Sequence, residues 1–323
     1  MKFTQTLSWQ TYIWEKIVCL VENNRMPHAI LLIGSSGLGK KYFAQLLAKY
    51  LLCHKRAAFH PCGACKGCYL ISAGNHPDFN ILQPEKVGKT IGIEDVRKLS
   101  DNLSKTAQQG GWKIALINPA DSLTLQASNA LLKTLEEPTR NTSIILTSQF
   151  VWRLPNTVRS RCHSIVFTAP SKKISIKWLE QFTDSPALAK EVLDIADGRP
   201  FLAKHFLDGK IYEHRAEFEK WIGKLSRFEA SPLDAARFCQ SSNHVQLVDW
   251  FLTHLVKEIK QDLVNKCVPQ VFIFYDKLIR AREWFLSSSN PNPQLIWEEI
   301  FFDFRTLCFK MDQKLDWSNR AIK

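Results

Sequence analysis

One stretch near the amino terminus limits the possible folds more than any other: an apolar run, a glycine-rich turn and an amphipathic helical pattern. The apolar run is Ala29–Ile33, the turn over 34–41 reads Gly-Ser-Ser-Gly-Leu-Gly-Lys-Lys, and residues 42–51 carry apolar side chains at helical spacing. A continuous apolar run of this length predicts a parallel strand that is buried on both faces. Strand, turn and helix in this order predict a phosphate-binding loop within an α/β sheet.

The residues of this turn define a candidate site. Gly34, Gly37 and Gly39 allow backbone N–H groups to close around a phosphate at the start of the helix, and Lys40 would reach the same oxygens. The next residue is Ser or Thr in loops that bind Mg²⁺, because a hydroxyl can ligate the metal. Lys41 stands there instead, and an ammonium has no lone pair and repels the cation. The sequence therefore predicts the shape of the loop but disfavours binding of a magnesium nucleotide, and a purely structural turn is the alternative.

The third predicted strand ends without the acids that a hydrolysing P-loop enzyme requires. Such enzymes hold Mg²⁺ with an Asp at this point, and in many of them the next residue is a Glu that orients the attacking water. Asn118 and Pro119 occupy the two positions. Asp121 lies beyond the strand end and is not expected to substitute, while Glu136 and Glu137 close a later helix, where a solvated or structural role is expected. We therefore predict no hydrolysis at the chain's own site.

A cluster of cysteines follows the helix of the loop, within residues 53–68. Its members are Cys53, Cys62, Cys65 and Cys68. Four thiolates can surround a tetrahedral Zn²⁺, and a complete Cys₄ shell leaves no open position for catalysis. We therefore predict a structural zinc; free thiols are the alternative, and rival ligands are His54, His60 and His76. Nine cysteines, several of them clustered, suit metal binding in a reducing compartment better than a disulfide framework.

The order of apolar patterns predicts the domain organisation. Strand-length runs alternate with helical patterns and fall at about 29–33, 79–82, 113–117, 143–148 and 162–167. This alternation predicts a mostly parallel α/β sheet. After it the patterns are helical, and from about residue 211 onward they indicate a helical bundle. We predict an α/β domain over 1–168 with the cysteine module inserted, a small helical lid over 169–209 and an all-α domain over 210–323.

Composition sets outer limits on function. The chain has 323 residues, of which 45% are hydrophobic and 23% charged, as in soluble globular proteins of two or three domains. No apolar run reaches the ~18 residues of a membrane span and the amino terminus lacks a signal-peptide pattern, so a cytoplasmic protein is expected. The net charge of +12 favours an anionic partner such as nucleic acid, against the alternative of a merely solubilising surface.

Taken together, these motifs resemble a known family. The phosphate loop, the four-cysteine insertion, residues 129–138 and the tripeptide Ser160-Arg161-Cys162 are similar to those of the delta-prime subunits of bacterial DNA polymerase III clamp loaders, which belong to the AAA+ family. The resemblance covers about the first 210 residues. The hydrolysing paralogues, gamma/tau, carry Asp-Glu where Asn118 and Pro119 stand and Ser or Thr where Lys41 stands. These departures favour delta-prime, the non-hydrolysing member.

The resemblance also implies roles for single residues. Arg161 would project into the ATP site of a neighbouring gamma/tau subunit as an arginine finger, and Thr147 or Ser148 would match the sensor-one region. Hydrolysing relatives place a phosphate-sensing arginine roughly where Phe201 stands, with Arg199 nearby but out of register. The alternative for the finger is a solvated basic edge formed by Arg153, Arg159 and Arg161.

What the resemblance implies for the whole chain is a subunit of a hetero-oligomer. Its partners would be gamma/tau, delta, the sliding clamp and primed DNA, with no membrane, and the all-α domain would be the collar that closes the ring. The chain would have no ATPase of its own, yet would be part of a DNA-directed DNA polymerase holoenzyme and carry structural zinc. The alternatives are an active gamma/tau-type ATPase and a zinc-ribbon DNA-binding module.

Overall fold

A computed structural model describes most of the chain, namely residues 5–56, 59–86, 89–109, 111–209, 211–240, 242–262, 269–286 and 292–320. The fold divides into two compact units, Met1–Asp208 and Gly209–Lys323. No helix among the described residues is long and apolar enough to cross a membrane. The predicted boundary between an α/β domain and a lid, at residue 168, stays a prediction.

The first unit is built on a parallel sheet of five strands, which confirms the predicted α/β architecture. The strands are β1 (Ala29–Ile33), β2 (Phe79–Leu82), β3 (Lys113–Ile117), β4 (Thr142–Ser148) and β5 (His163–Val166). Their order across the sheet is β2-β3-β4-β1-β5. The three central strands are buried along almost their whole length, as continuous apolar runs predict.

Helices connect and follow these strands. They are α1 (Thr11–Glu22), α2 (Lys40–Leu51), α3 (Lys66–Ser72), α4 (Ile93–Ser104), α5 (Leu125–Glu136), α6 (Asn156–Arg159), α7 (Lys172–Leu179), α8 (Pro186–Ile195) and α9 (Pro200–Asp208). One apolar layer joins the sheet to α4, α5 and α6 through buried side chains that include Leu99, Leu131, Leu135 and Val158. This layer fixes the ends of α5 and α6 relative to the sheet.

The strand register brings the chain's candidate residues to one edge of the sheet. Ile33 of β1 lies opposite Ser148 of β4, and the backbone N–H of Gly34 donates to the carbonyl oxygen of Ser148 at 3.1 Å. Because β3 is the other neighbour of β4, Asn118, which follows β3, reaches the same carboxyl edge. Open α/β sheets bind ligands at this edge.

The second unit is helical, as predicted. Its helices are α10 (Ile211–Ser226), α11 (Pro232–Cys239), α12 (His244–Asp262), α13 (Pro269–Leu286) and α14 (Pro293–Arg320). Its core is aromatic: the ring of Phe218 lies 5.9 Å from that of Phe251 and 6.1 Å from that of Trp297. Aromatic pairs at such distances add stability beyond the area that they bury.

The spacing of Phe272, Tyr275, Leu278 and Ile279 in the sequence predicts one buried stripe on α13, and the structure agrees only in part. Leu278 is buried and Tyr275 is half-buried, but Phe272 and Ile279 are exposed. The buried side chains of this helix are Val271, Phe274, Leu278 and Ala281. Apolar residues occur on more than one face of α13, so periodicity alone does not identify the face that packs.

Candidate functional site

The phosphate loop joins β1 to α2 and contains the three glycines that the sequence singles out. Gly39 precedes the first turn of α2 with a φ of 87°, and Gly37 has a φ of 85°. Backbone in this left-handed region favours glycine because a Cβ atom would be strained there. The sequence therefore folds locally into the tight turn between strand and helix that it predicts.

Neighbouring segments pack directly against this turn. The backbone N–H of Phe201, at the start of α9, donates to the carbonyl oxygen of Gly37 at 2.9 Å. A Cβ atom placed on Gly37 would lie 2.8 Å from Cβ of Leu202, and one on Gly39 would lie 2.7 Å from the Phe201 ring. On another side, Nε2 of Gln10 donates to the carbonyl oxygen of Gly39 at 3.2 Å. The turn is thus covered by other parts of the same unit.

Phe201 belongs to an aromatic cluster beside the loop. Its ring centre lies 5.0 Å from that of Trp178 and 5.7 Å from that of Tyr42, and Trp9 packs edge-on against Trp178 at 5.4 Å. According to the family resemblance, hydrolysing relatives have a phosphate-sensing arginine at roughly the position of Phe201. An aromatic ring supplies no positive charge, and an apolar cluster beside the loop makes desolvation of a triphosphate costly.

Lys40 is occupied by its own loop. Its ammonium Nζ donates to the carbonyl oxygens of Gly34 and Ser35, the latter at 2.8 Å, and the residue is only 8% exposed. Burial lowers the pKa of Lys40 to about 8, an effect that the charge of Asp121 partly offsets. The cation that would meet a phosphate is therefore directed back at backbone carbonyls.

The polar side chains at the ends of β3 and β4 pair with one another. Oγ1 of the buried Thr147 donates to Oδ1 of Asn118 at 2.7 Å. The carboxylate of Asp121 accepts the backbone N–H of Gln149, at 3.1 Å from Oδ1 and 3.3 Å from Oδ2. Asp121 lies close enough to Lys40 to affect its pKa, yet the described contacts make it a partner of the backbone. An amide therefore stands where hydrolysing enzymes have a metal-binding carboxylate.

Arg161 lies just after α6, at the exposed end of that helix. Its Nη2 lies 2.7 Å from Oε1 of Glu136, and its Nη1 donates to the carbonyl oxygen of Thr157 at 2.8 Å. The Arg161 side chain is 37% exposed and that of Glu136 is 48% exposed. The two other arginines of this edge contact different groups: Arg159 donates to Oδ1 of Asn156, and the Arg153 guanidinium lies over the Phe150 ring.

The partner of Arg161 was missed by sequence reasoning. Glu136 ends α5 and Arg161 follows α6, so the two residues are distant in the sequence and no local spacing pairs them. The signal that could have found the contact is the shared apolar layer, in which Leu135 and Val158 are both buried. Leu135 is adjacent to Glu136 in the sequence, and Val158 lies three residues before Arg161.

The four predicted cysteines come together. The Sγ atoms of Cys53, Cys62, Cys65 and Cys68 all lie within 4.8 Å of one another, and they are the only group of cysteines, histidines and acids among the described residues placed to share a metal ion. Sγ of Cys53 lies 3.8 Å from that of Cys65, and Sγ of Cys62 lies 4.0 Å from that of Cys68. Tetrahedral zinc with Zn–S bonds of about 2.3 Å requires sulfurs about 3.8 Å apart. The donor set and its spacing therefore fit such an ion.

The pKa shifts within this cluster differ in direction. Burial raises the pKa of the Cys65 thiol, but backbone hydrogen bonds from Cys68 and His54 outweigh it and bring the pKa to about 6. Backbone hydrogen bonds also lower the pKa of Cys62, whereas burial raises the pKa of Cys53 and Cys68. A thiolate is the form that ligates metal. Of the rival ligands, His76 accepts the backbone N–H of Asp78 at its Nδ1 instead of joining the cluster.

Comparisons with known proteins agree on one family. A family model described as DNA polymerase III, delta subunit, matches residues 9–171. The chain is similar to the DNA polymerase III subunit delta' of Pseudomonas aeruginosa, at 34% identity over 93% of this chain and 97% of that protein. It is also similar to the subunit of the same name from Escherichia coli, at 35% identity over 78% of this chain and 76% of that protein.

A solved structure supports the fold. The crystal structure of a DNA polymerase III gamma subunit-related protein from Thermotoga maritima matches with a TM-score of 0.54 and 17% identity, covering 91% of this chain and 98% of that one. At this identity the likeness concerns the fold alone. With the parallel sheet and the helical second unit, it confirms the predicted architecture of the AAA+ type.

Proposed function

From the premise that this chain belongs to the DNA polymerase III delta-prime family, we propose that it is the non-hydrolysing delta-prime subunit of a clamp-loader complex. Its partners in that complex are gamma/tau-type ATPase subunits and delta, and the assembly loads the sliding clamp onto primed DNA. The net charge of +12 suits work near an anionic polymer. Its cofactor is one structural zinc ion, held by the four clustered cysteines.

The observation that carries the proposal is the state of the phosphate loop. Lys40 donates to carbonyls of its own loop, and Phe201 packs against Gly39. Hydrolysis needs a metal-binding acid and a group that orients water, and Asn118 and Pro119 offer neither. A chain with this site contributes to nucleotide chemistry only through a group that it presents to another subunit.

That group is Arg161. A guanidinium neutralises charge on the γ-phosphate in the transition state, and a finger of this kind is worth roughly 10³–10⁵ in rate. The side chain is more than a third exposed, and its guanidinium lies at the outer end of α6 rather than at the chain's own loop. This chain's own residue thus holds positive charge at the ATP site of the neighbour.

A reconstituted clamp loader tests the proposal. With Arg161→Ala, the complex is expected to assemble normally, while hydrolysis at the single adjacent site falls by roughly 10³–10⁵ and total DNA-stimulated ATPase by the share of that site. Arg159→Ala is the matched control because Arg159 lies two residues before Arg161, at the end of α6, and its guanidinium donates to Oδ1 of Asn156 rather than to Glu136. Wild-type ATPase and clamp loading with Arg161→Ala would overturn the assignment.

The purified chain separates this function from an active ATPase. We expect no turnover of ATP above background, and no change with Lys40→Ala. Appreciable hydrolysis that Lys40→Ala abolishes would instead establish a gamma/tau-type motor.

A further inference from the structure

Arg161 is held from two directions by groups of its own chain. The carbonyl oxygen of Thr157, one turn back, accepts from Nη1 at 2.8 Å, and Glu136 lies 2.7 Å from Nη2. A guanidinium carries five N–H donors in a rigid fork, so these two contacts fix its orientation and leave further donors for an incoming anion. Nη1 also lies 3.5 Å from Oγ of Ser160, and Nε of Arg161 makes no hydrogen bond with the described residues.

The scaffold behind this contact is rigid. Leu135, next to Glu136, and Val158, in α6, are fully buried in the same apolar layer. Cys162, next to Arg161, packs against that layer as well. The carboxylate and the guanidinium therefore project from segments whose separation is set by the core rather than by the ion pair.

The pair is too exposed to matter much for stability. Ion pairs between side chains that water reaches contribute little to folding, because solvent screens them and two long side chains lose freedom. The ion pair instead restricts the conformation of Arg161. Its side chain has four rotatable bonds, and the contact with Glu136 holds the guanidinium in one region before a partner subunit binds. Such preorganisation reduces the ordering cost of the bound or reacting state.

We propose that Glu136 is a positioning residue for Arg161, presenting its guanidinium to the triphosphate of a neighbouring subunit; this rests on the proposed function. The next residue provides the contrast. Glu137 is also exposed at the end of α5, yet it forms no ion pair with the described residues. A general effect of negative charge at this edge would be shared by both acids, whereas positioning belongs to Glu136 alone.

The test uses reconstituted clamp loaders that differ only in this subunit. Glu136→Gln keeps the size of the side chain but removes its charge, and is expected to lower hydrolysis at the adjacent site about two- to fivefold, the effect of losing one exposed ion pair. The total DNA-stimulated rate then falls by at most the share of that site, so kcat is measured for that site, in complexes whose other ATP sites are inactivated. The KM for ATP is expected to stay unchanged because ATP binds to the neighbour's own loop. Glu136→Asp, which shortens the reach, should give an intermediate kcat, and Glu137→Gln should behave as wild type.

A double variant shows whether Glu136 acts through the arginine. In the Arg161→Ala background, Glu136→Gln is expected to cause no additional loss, and the thermal unfolding midpoint of the isolated chain should be the same for both glutamine variants. A loss that persists without the arginine, a kcat that rises, or equal rates for Glu136→Gln and Glu137→Gln would each overturn this inference. Failure of the proposed function is distinct, since Arg161→Ala would then leave the rate unchanged.

Discussion

The hydrogen bond between Thr147 and Asn118 tests whether the polar side chains at the carboxyl ends of β3 and β4 have a structural role. Oγ1 of Thr147 donates to Oδ1 of Asn118 at 2.7 Å, and Thr147 is only 2% exposed. In a working P-loop enzyme, polar groups at these positions serve the metal and the phosphate. Here they satisfy each other. Thr147→Val should therefore reduce stability and leave catalysis by the assembled complex unaffected.

The magnitude follows from the geometry. Valine has nearly the shape of threonine and keeps the strand packing, so the loss is that of one hydrogen bond with Asn118 left as an unpaired acceptor. A buried acceptor in this state costs about 1–3 kcal/mol. Asn118 is half-buried rather than buried, so water compensates in part and about 1 kcal/mol is expected. In a unit of this size, that corresponds to about 2–4 °C in the midpoint of thermal unfolding.

Ser148→Ala is the matched control for this experiment. Ser148 is the next residue of the same strand, and its buried Oγ has no hydrogen-bond partner among the described residues. Removing it leaves nothing unpaired, so the unfolding midpoint should not fall. Calorimetry of the two variants and DNA-stimulated ATPase of their complexes are the measurements. Equal midpoints for both, or loss of ATPase with Thr147→Val alone, would refute a structural role for the pair.

Two further predictions concern the cysteine cluster and Lys40. The proposed structural zinc predicts that Cys65→Ser abolishes one equivalent of bound zinc per chain, measured by metal analysis, and lowers the unfolding midpoint. An unchanged midpoint in zinc-free chain would contradict a structural ion. The pKa of Lys40 in the folded chain, about 8, lies below its ordinary value of 10.5. Between these pH values the unfolded chain binds more protons than the folded chain, so the free energy of unfolding rises with pH. The free energy of unfolding in urea, measured from pH 7.5 to 10, should increase for wild type relative to Lys40→Met, and parallel curves would contradict the low pKa.

The strands of the first unit could be predicted because their burial is written directly in the sequence. The runs 29–33, 79–82 and 113–117 match β1, β2 and β3 residue for residue. β1 and β3 are buried on both faces and contain little else than apolar side chains, and the polar turns beside them mark their ends. β2 is a half-buried edge strand that includes Asn80, and its prediction depended on the alternation of strands and helices along the chain. In α13 the same reasoning placed Leu278 correctly but Phe272 and Ile279 wrongly, because these two residues are apolar but exposed. The sequence of α13 does not indicate which face of the helix packs against the other helices.

The sequence predicts which groups of a hydrolysing site are missing, but it does not predict the contacts that Lys40 and Phe201 make in the structure. Asn118, Pro119 and Lys41 can be recognised as departures from a hydrolysing loop, since each position has a known chemical requirement. The direction of the Lys40 side chain depends on loop geometry, and the approach of Phe201 to Gly39 depends on how α9 packs. Such facts arise from tertiary structure and leave no local pattern.

The difference between two cations explains why this chain would act on a neighbour and not at its own loop. Lys40 is 8% exposed, and backbone carbonyls already accept its hydrogen bonds, so moving its ammonium to a phosphate would break these contacts. Arg161 is 37% exposed and its acidic partner is about half exposed, so the remaining donors of the guanidinium can meet an incoming triphosphate at little desolvation cost while Glu136 keeps its contact. The balance of desolvation therefore favours Arg161 over Lys40 as the charge that meets a nucleotide, in line with the proposed function.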